Sequence, residues 1–206
     1  NRTPLLPQNF NALNTLRTGS QLKNVEGILE YRFNAWRIQP IQAKAQPEII
    51  KDTNLRPSTM IAKDAKQIRA AAFNVLNYDN GAEKGFPTER GASSEAEFKK
   101  QHQKIVSALK TIDADVYGLM EIANNGFDDK SAVAYLSQAL GADWKYVIPT
   151  KMTKLGTDAI AVAIIYNSKR VKPVGESAVY DDQTQKNRVT MAQSFQSVNG
   201  GKIFTI

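Results

Sequence analysis

The sequence predicts an α/β fold, and three observations lead to that prediction. Residues 68–78 and 116–120 are apolar runs of the kind found in strands that are covered on both faces. Between them, residues 95–112 carry apolar side chains at the spacing of one helical face. A further apolar run at residues 159–166 indicates another buried strand. We therefore expect a sheet with helices packed on it, preceded by a small β segment.

The small β segment is expected ahead of the main domain. Residues 22–33 alternate between apolar and polar side chains, which predicts one or two strands with a kink at Gly27. Residues 36–41 predict another strand, near the edge of a sheet. The β segment and the polar, proline-containing linker that follows it fill residues 1–64, and the main domain fills residues 65–206.

Aromatic and basic side chains are interleaved in this β segment. They are Tyr31, Arg32, Phe33, Trp36 and Arg37. Such residues can form a stacking surface for single-stranded nucleic acid. They can also be the alternating core and solvent positions of a small sheet, and we favour this second interpretation.

Composition narrows the classes of function. Lys and Arg number 27 and Asp and Glu number 20, which gives a net charge of +7. This charge favours an anionic partner such as nucleic acid, although an ordinary basic surface is equally compatible with it. The absence of cysteine excludes disulfides, thiolate metal sites and cysteine nucleophiles. No apolar run approaches the ~18 residues of a membrane span, so no membrane partner is expected.

The first residue is Asn1, and no signal-peptide pattern follows it. We therefore expect a processed chain or an excised piece, from which any targeting segment has already been removed.

A long polar loop and a helix follow the first strand of the main domain. The loop, at residues 77–94, has a length that is often functional in compact domains. Ser94 is predicted to cap the helix, and apolar side chains from Phe98 to Leu109 are predicted to pack on the sheet. The only histidine, His102, lies beside this apolar face, and we interpret it as structural.

The remaining elements are predicted from the same periodicities. They are a helix at residues 130–140 and strands at residues 144–149, 158–166, 172–180, 189–198 and 202–206.

Glu121 is the leading candidate for a functional residue. It follows an apolar run directly, and a carboxylate in such a place is poorly hydrated unless a cation or hydrogen-bond donors compensate. Asn124, Asn125 and Gly126 form a turn signal, so the strand is expected to end at Glu121, at the C-terminal rim of the sheet. Ligands and chemistry in α/β folds lie at that rim.

Several short motifs occur in a fixed order along the main domain. They are Phe73-Asn74-Val75-Leu76-Asn77-Tyr78, Arg90-Gly91-Ala92, Lys104-Ile105-Val106, Leu119-Met120-Glu121-Ile122 and Gly156-Thr157-Asp158-Ala159-Ile160. In this order the chain resembles the ExeM/NucH-type bacterial extracellular nucleases of the endonuclease/exonuclease/phosphatase superfamily, which includes deoxyribonuclease I. The resemblance implies the N-terminal half of a four-layer α/β sandwich, and it makes the preceding β segment an OB-like remnant.

The resemblance also implies roles for four residues. Glu121 matches the metal-binding glutamate of the family, and Asn74 matches the asparagine that helps to hold the metal and the scissile phosphate. The metal would be Mg²⁺ or Mn²⁺, with Ca²⁺ as a structural ion, and carboxylate, amide and water oxygens are the ligands that Mg²⁺ prefers. Arg188 and Asp158 match phosphate-side positions. An exposed arginine and a turn residue are the alternatives for these two.

The function implied by the resemblance is that of a secreted, metal-dependent nuclease that hydrolyses DNA, with RNA as a second substrate. The general base, the general acid and the remaining metal ligands of such enzymes lie beyond the position that matches Ile206. A C-terminal half is therefore an expected partner, either as a continuation or as a separate chain. A sister phosphoesterase, such as a phospholipase or phosphatase, and a non-catalytic nucleic-acid-binding module are the alternative functions.

Overall fold

The computed structural model describes residues 18–41, 48–51, 61–182, 184 and 186–206. The chain divides into two compact units, Asn1–Thr59 and Met60–Ile206. The described residues contain strands and two helices, so the predicted α/β class is confirmed. The central part of the predicted linker, at residues 52–60, lies outside the described residues.

Four short strands form two separate antiparallel pairs in the first unit. Their bounds are β1 Gln21–Lys23, β2 Gly27–Arg32, β3 Ala35–Pro40 and β4 Glu48–Lys51. β1 pairs with β4, and β2 forms a hairpin with β3. Phe33 and Asn34 connect the hairpin with φ angles of 51° and 58°, and a two-residue turn with two positive φ angles matches the twist of the strands.

One face of this hairpin is apolar and exposed. Leu29 lies opposite Ile38 and Tyr31 lies opposite Trp36, so the four side chains share a face. Their exposed fractions are 62%, 54%, 56% and 68%, respectively. We expected alternating positions of this segment to form a small core, and that prediction is wrong here, because no described residue of the unit covers this face.

The second unit contains the elements predicted for the main domain. The bounds of its first elements are β5 Ala70–Tyr78, α1 Glu95–Ile112, β6 Val116–Ala123, α2 Ala132–Leu140 and β7 Trp144–Tyr146. The later strands are β8 Ile160–Asn167, β9 Val171–Tyr180, β10 Thr190–Ser197 and β11 Phe204–Thr205. Hydrophobic periodicity therefore located each of these elements, with small differences at their ends.

A mixed four-stranded sheet is the centre of the unit. Its strand order is β5-β6-β8-β7. β5 and β6 are parallel and are connected through α1, whereas β8 is antiparallel to both of its neighbours. The C-terminal ends of β5 and β6 consequently lie side by side at one rim of the sheet.

Both helices begin at serine caps. The Ser94 hydroxyl accepts a hydrogen bond from the Glu97 backbone N–H at 3.3 Å, which satisfies one free donor at the start of α1. Phe98 and Leu109 are buried on the face of α1 that packs on the sheet, as predicted. Ser131 caps α2, so this helix begins two residues later than predicted. Neither helix among the described residues is long and apolar enough to cross a membrane.

Three layers enclose the core of the second unit. Tyr117 and Leu119 of β6 pack beneath the two helices. Val116 and Ile164, on the opposite face of the same sheet, pack against Phe195 of the antiparallel sheet β11-β10-β9. The layers are therefore helices, mixed sheet and antiparallel sheet.

Candidate active site

A groove of about 830 Å³ opens where β6 reaches the rim of the mixed sheet. Met120 and Glu121 of β6, the loop at residues 155–159 and the segment at residues 186–189 line it. The ionisable residues around the groove are Glu89, Arg90, Glu121, Asp158, Asp181, Lys186 and Arg188. Carboxylates and cations therefore share one open cleft, which is the composition needed to bind a metal cation and an anionic group together.

β6 is irregular where it meets the groove. Its register with β8 shifts between Leu119 and Ile122, and Glu121 has a φ angle of 62°. In a regular strand Glu121 would share the face of Leu119, which packs beneath the helices. Ile122 takes that core position instead, and Glu121 lines the groove beside Met120. We expected the strand to end at Glu121. It continues to Ala123, because a bulge turns the carboxylate outward without ending the strand.

Glu121 is a half-buried residue, and its carboxylate is unpaired among the described residues. No described residue donates a hydrogen bond to it or forms an ion pair with it. The left-handed backbone at Glu121 costs roughly 1–2 kcal/mol. Unfavourable features of this kind are concentrated at functional sites.

Asn74 lies on β5, next to the bulge of β6. Its Cα atom is opposite that of Met120, and its side chain is exposed. The Asn74 Oδ1 atom accepts a hydrogen bond from the Leu76 backbone N–H at 2.7 Å. Leu76 and Asn77 have φ angles of 53° and 51°, so β5 is also distorted at this rim. Gln101 of α1 supports the distortion by donating to the Leu76 carbonyl at 2.6 Å.

Asp158 is paired with two arginines. Its Oδ2 atom accepts from Arg188 Nε at 2.9 Å, and its Oδ1 atom lies 3.1 Å from Arg90 Nη1. Burial alone would raise the pKa of the Asp158 carboxyl, but the bonds from Arg188 and the Ile160 N–H, with both arginine charges, hold this pKa below its ordinary range. Asp158 is therefore ionised at neutral pH and holds two cations beside the groove.

Asn124 fixes the loop that carries Asp158. Its Nδ2 atom donates to the carbonyls of Leu155, Gly156 and Asp158 at 2.9, 3.2 and 3.0 Å. Its Oδ1 atom accepts from the Leu155 N–H at 3.0 Å. The sequence indicated only a turn at Asn124, because an asparagine that bridges to a distant loop has no local signature.

The groove brings together three of the four candidate residues. Glu121, Asp158 and Arg188 line it, whereas Asn74 lies on the neighbouring strand and does not. Sequence reasoning missed the ion pair of Arg90, although the Arg90-Gly91-Ala92 motif pointed to its position.

The donors at this rim suit a hard divalent cation held mostly by water and substrate. Within the described ranges, no three His, Cys, Asp or Glu side chains group closely enough to hold a metal ion. Mg²⁺, however, is commonly bound through one or two carboxylates, with water and phosphate oxygens completing its shell. Glu121 is unpaired, and the Asn74 amide oxygen keeps a second lone pair beyond its bond to the Leu76 N–H. Both residues therefore carry oxygen donors of the kind that Mg²⁺ prefers.

Neither protein-family models nor curated protein sequences match the chain. Solved structures do match it. An endonuclease/exonuclease/phosphatase family protein from Bacteroides thetaiotaomicron is 13% identical with a TM-score of 0.46, covering 67% of this chain and 48% of that one. The human Nocturnin catalytic domain is 19% identical with a TM-score of 0.43, covering 67% and 47%.

The structure of ANGEL2, a 2',3'-cyclic phosphatase, is 16% identical with a TM-score of 0.40, covering 63% of this chain and 37% of that one. The chain spans about half or less of the length of these three proteins. Of the three, the Bacteroides thetaiotaomicron protein is the one described as an endonuclease/exonuclease/phosphatase family protein.

Proposed function

We propose that this chain is the N-terminal part of a divalent-metal-dependent phosphodiesterase that hydrolyses DNA, of the ExeM/NucH type. The observation that carries the proposal is the unpaired Glu121 carboxylate, turned into a groove by a φ angle of 62° and facing a cleft that also contains Arg188. A rim that offers one free carboxylate and a guanidinium group suits a metal ion and a phosphate.

Each residue has a defined part in this proposal. Glu121 and Asn74 hold Mg²⁺ or Mn²⁺, and the bound metal stabilises negative charge that develops on the phosphate and the leaving oxygen. Arg188 binds and orients the phosphate through its guanidinium fork. Asn124 keeps the loop at residues 155–158 against β6, so that Asp158 remains beside Arg188.

The general base and acid are proposed to come from a C-terminal half, supplied as a continuation or as a separate chain. We also propose that the enzyme is secreted, in line with the extracellular nucleases that its motifs resemble. Intact-mass measurement of the native protein tests the first point, because it distinguishes one long polypeptide from two associated ones.

Replacement of Glu121 by Gln tests the proposed function. The expected result is a loss of Mg²⁺-dependent plasmid cleavage by at least ~100-fold in the enzyme assembled with its C-terminal half, since a metal contributes several kcal/mol to the transition state. Calorimetric Mn²⁺ binding by the variant should be lost as well. Glu176→Gln is the matched control, because Glu176 is exposed on β9, away from the groove. Plasmid cleavage by Glu121→Gln at the wild-type rate and Mg²⁺ concentration would refute the proposal.

A substrate comparison separates DNA hydrolysis from the sister activities. Turnover of duplex DNA, RNA, sphingomyelin and inositol phosphates should be measured at one Mg²⁺ concentration. The proposal expects the highest kcat/KM on DNA. A preference for sphingomyelin or inositol phosphates would assign the same groove to a phospholipase or a phosphatase.

A further inference from the structure

The long loop between β5 and α1 carries an arginine into the groove. Arg90, near the end of this loop, places its Nη1 atom 3.1 Å from Oδ1 of Asp158. Arg188, just ahead of β10, places its Nε atom 2.9 Å from Oδ2 of the same carboxylate. Two guanidinium groups from distant parts of the chain are therefore held on either side of one carboxylate.

Gly91, the residue after Arg90, fixes the position of the backbone that carries Arg90. A Cβ atom at Gly91 would lie 2.4 Å from the backbone oxygen of Asn77, which is closer than a side chain tolerates. Only glycine therefore allows the loop to lie against the end of β5. The Gly91 N–H also donates to Thr88 Oγ1 at 3.0 Å, which closes the turn that contains Arg90.

Three further contacts fasten the loop to the rest of the second unit. Lys154 Nζ pairs with Glu83 at 2.9 Å. Asn80 Nδ2 donates to the Lys130 carbonyl at 2.8 Å, and Asn125 Nδ2 donates to Asn80 Oδ1 at 3.0 Å. The protein's own contacts therefore hold the loop, and a side chain on a held loop loses less entropy when it binds a ligand.

The pair of arginines retains both charge and donors. The side chains of Arg90 and Arg188 are 44% and 46% exposed, and neither has a further partner among the described residues. A guanidinium group has five N–H donors, so most of them remain free after the contact with Asp158. Two cations on one anion leave one positive charge, and a phosphodiester carries one negative charge on two oxygens. The pair thus matches a phosphodiester in charge and has free N–H donors for its oxygens.

We propose that Arg90 is a second substrate-binding cation of the groove, and that Asp158 is a positioning residue that holds Arg90 and Arg188 as a pair for one phosphodiester of a nucleic-acid strand. This inference rests on the proposed function and extends it. It makes the loop at residues 79–93 a part of the substrate site.

DNA binding by the chain in EDTA tests the role of Arg90 without requiring cleavage. The probe is a fluorescein-labelled duplex, titrated from 50 to 200 mM NaCl. Arg90→Ala should weaken binding about 10-fold at the lowest salt. It should also reduce the slope of log K against log salt by about 0.9. Arg90→Lys should keep the slope, because it keeps the charge, and should recover part of the affinity. Lys104→Ala, which removes an exposed cation from α1, is the control and should change neither quantity.

Steady-state kinetics of the assembled enzyme test how Arg90 and Asp158 act together. Arg90→Ala should raise KM about 10-fold and change kcat by less than about 2-fold, since it removes binding that is equal in the ground and transition states. In an Asp158→Asn background, the same Arg90→Ala change should have almost no further effect on kcat/KM, because Arg90 is no longer held in place. Full additivity of the two substitutions would show that Asp158 does not position Arg90.

The outcomes separate this inference from the proposed function. If Glu121→Gln is inactive while Arg90→Ala keeps the wild-type KM and salt slope, the role of Arg90 is refuted and the nuclease proposal stands. If the wild-type protein neither cleaves nor binds DNA, both are refuted together.

Discussion

Glu121 combines a charged side chain with a backbone conformation that residues with a Cβ atom avoid. Its φ angle of 62° lies in the left-handed region, inside a strand in which Leu119 and Ile122 are buried. A glycine would adopt this conformation without strain. The glutamate is therefore expected to reduce stability in exchange for a carboxylate that points into the groove.

A comparison of two substitutions tests this expectation. Glu121→Gly should make the protein more stable than Glu121→Ala by about 1 kcal/mol, because both remove the carboxylate but only glycine relieves the left-handed strain of ~1–2 kcal/mol. The higher unfolded-state entropy of glycine, ~0.5–1 kcal/mol, offsets part of this gain. Urea unfolding followed by circular dichroism measures the difference. Equal stabilities would show that the backbone at Glu121 is not strained.

His102 is the residue through which stability should depend on pH near neutrality. Its Nδ1 atom lies 2.6 Å from the hydroxyl of buried Tyr78, and the rings of Phe98 and Tyr135 lie beside it. Burial lowers the pKa of His102 below its ordinary value of 6.5. The unfolded chain therefore binds the proton more readily than the folded one, and stability is lost as the pH falls through 6.5 towards the lower folded pKa.

The expected result is a free energy of unfolding that is flat above pH ~7.5 and decreases in the interval just below pH ~6.5. His102→Gln should remove this decrease. No other side chain has its ordinary pKa in that interval, because the sequence contains one histidine. Urea unfolding across the pH range provides the measurement, and a slope that persists in His102→Gln would contradict the assignment.

At the scale of the element, β6 has a carboxylate near each end, and the two differ in burial and in hydrogen bonding. Asp115, just before the strand, is 1% exposed and accepts bonds from Lys63 Nζ at 3.1 Å, Arg170 Nε at 3.1 Å and the Arg69 N–H at 2.9 Å. Glu121, near the other end, has no partner among the described residues. The first carboxylate thus fastens the strand to its surroundings, and the second remains free for a ligand.

This contrast predicts two different costs along one strand. Asp115→Ala should destabilise the protein by about 3–5 kcal/mol, because it leaves the charges of Lys63 and Arg170 without their buried partner. Glu121→Ala should change stability by less than about 0.5 kcal/mol. Urea unfolding of both variants is the measurement. A similar loss in both would mean that Glu121 supports the fold.

At the scale of the molecule, the sequence predicts the helices and strands, which depend on residues close together in the chain. The bulge and the ion pairs of the site depend on contacts between distant parts of the chain. The helical face from Phe98 to Leu109 and the buried strand at β8 follow from periodicity, which depends only on near neighbours. The bulge at Glu121 depends on pairing with β8, a partner that pattern reasoning cannot align residue by residue. The Arg90–Asp158 ion pair likewise requires the folded loops.

The distribution of charge over the whole chain leads to the last prediction. The net charge is +7, yet the groove itself is lined by more carboxylates than cations, so attraction of a polyanion depends largely on the charge outside the groove. Salt should therefore affect capture of a long substrate more than the chemical step. The KM for plasmid DNA should rise roughly 40-fold between 50 and 200 mM NaCl if about three phosphates are contacted, because log K falls by ~0.9 per contact for each tenfold rise in salt. The kcat at saturation should stay constant.

Bis(p-nitrophenyl) phosphate is the matched control substrate, because it carries a single negative charge and cannot reach beyond the groove. Its KM should rise by less than about 4-fold over the same range, which corresponds to at most one phosphate contact. Equal salt dependence for both substrates would place all of the electrostatic attraction inside the groove. The +7 charge of the chain would then have no part in binding DNA.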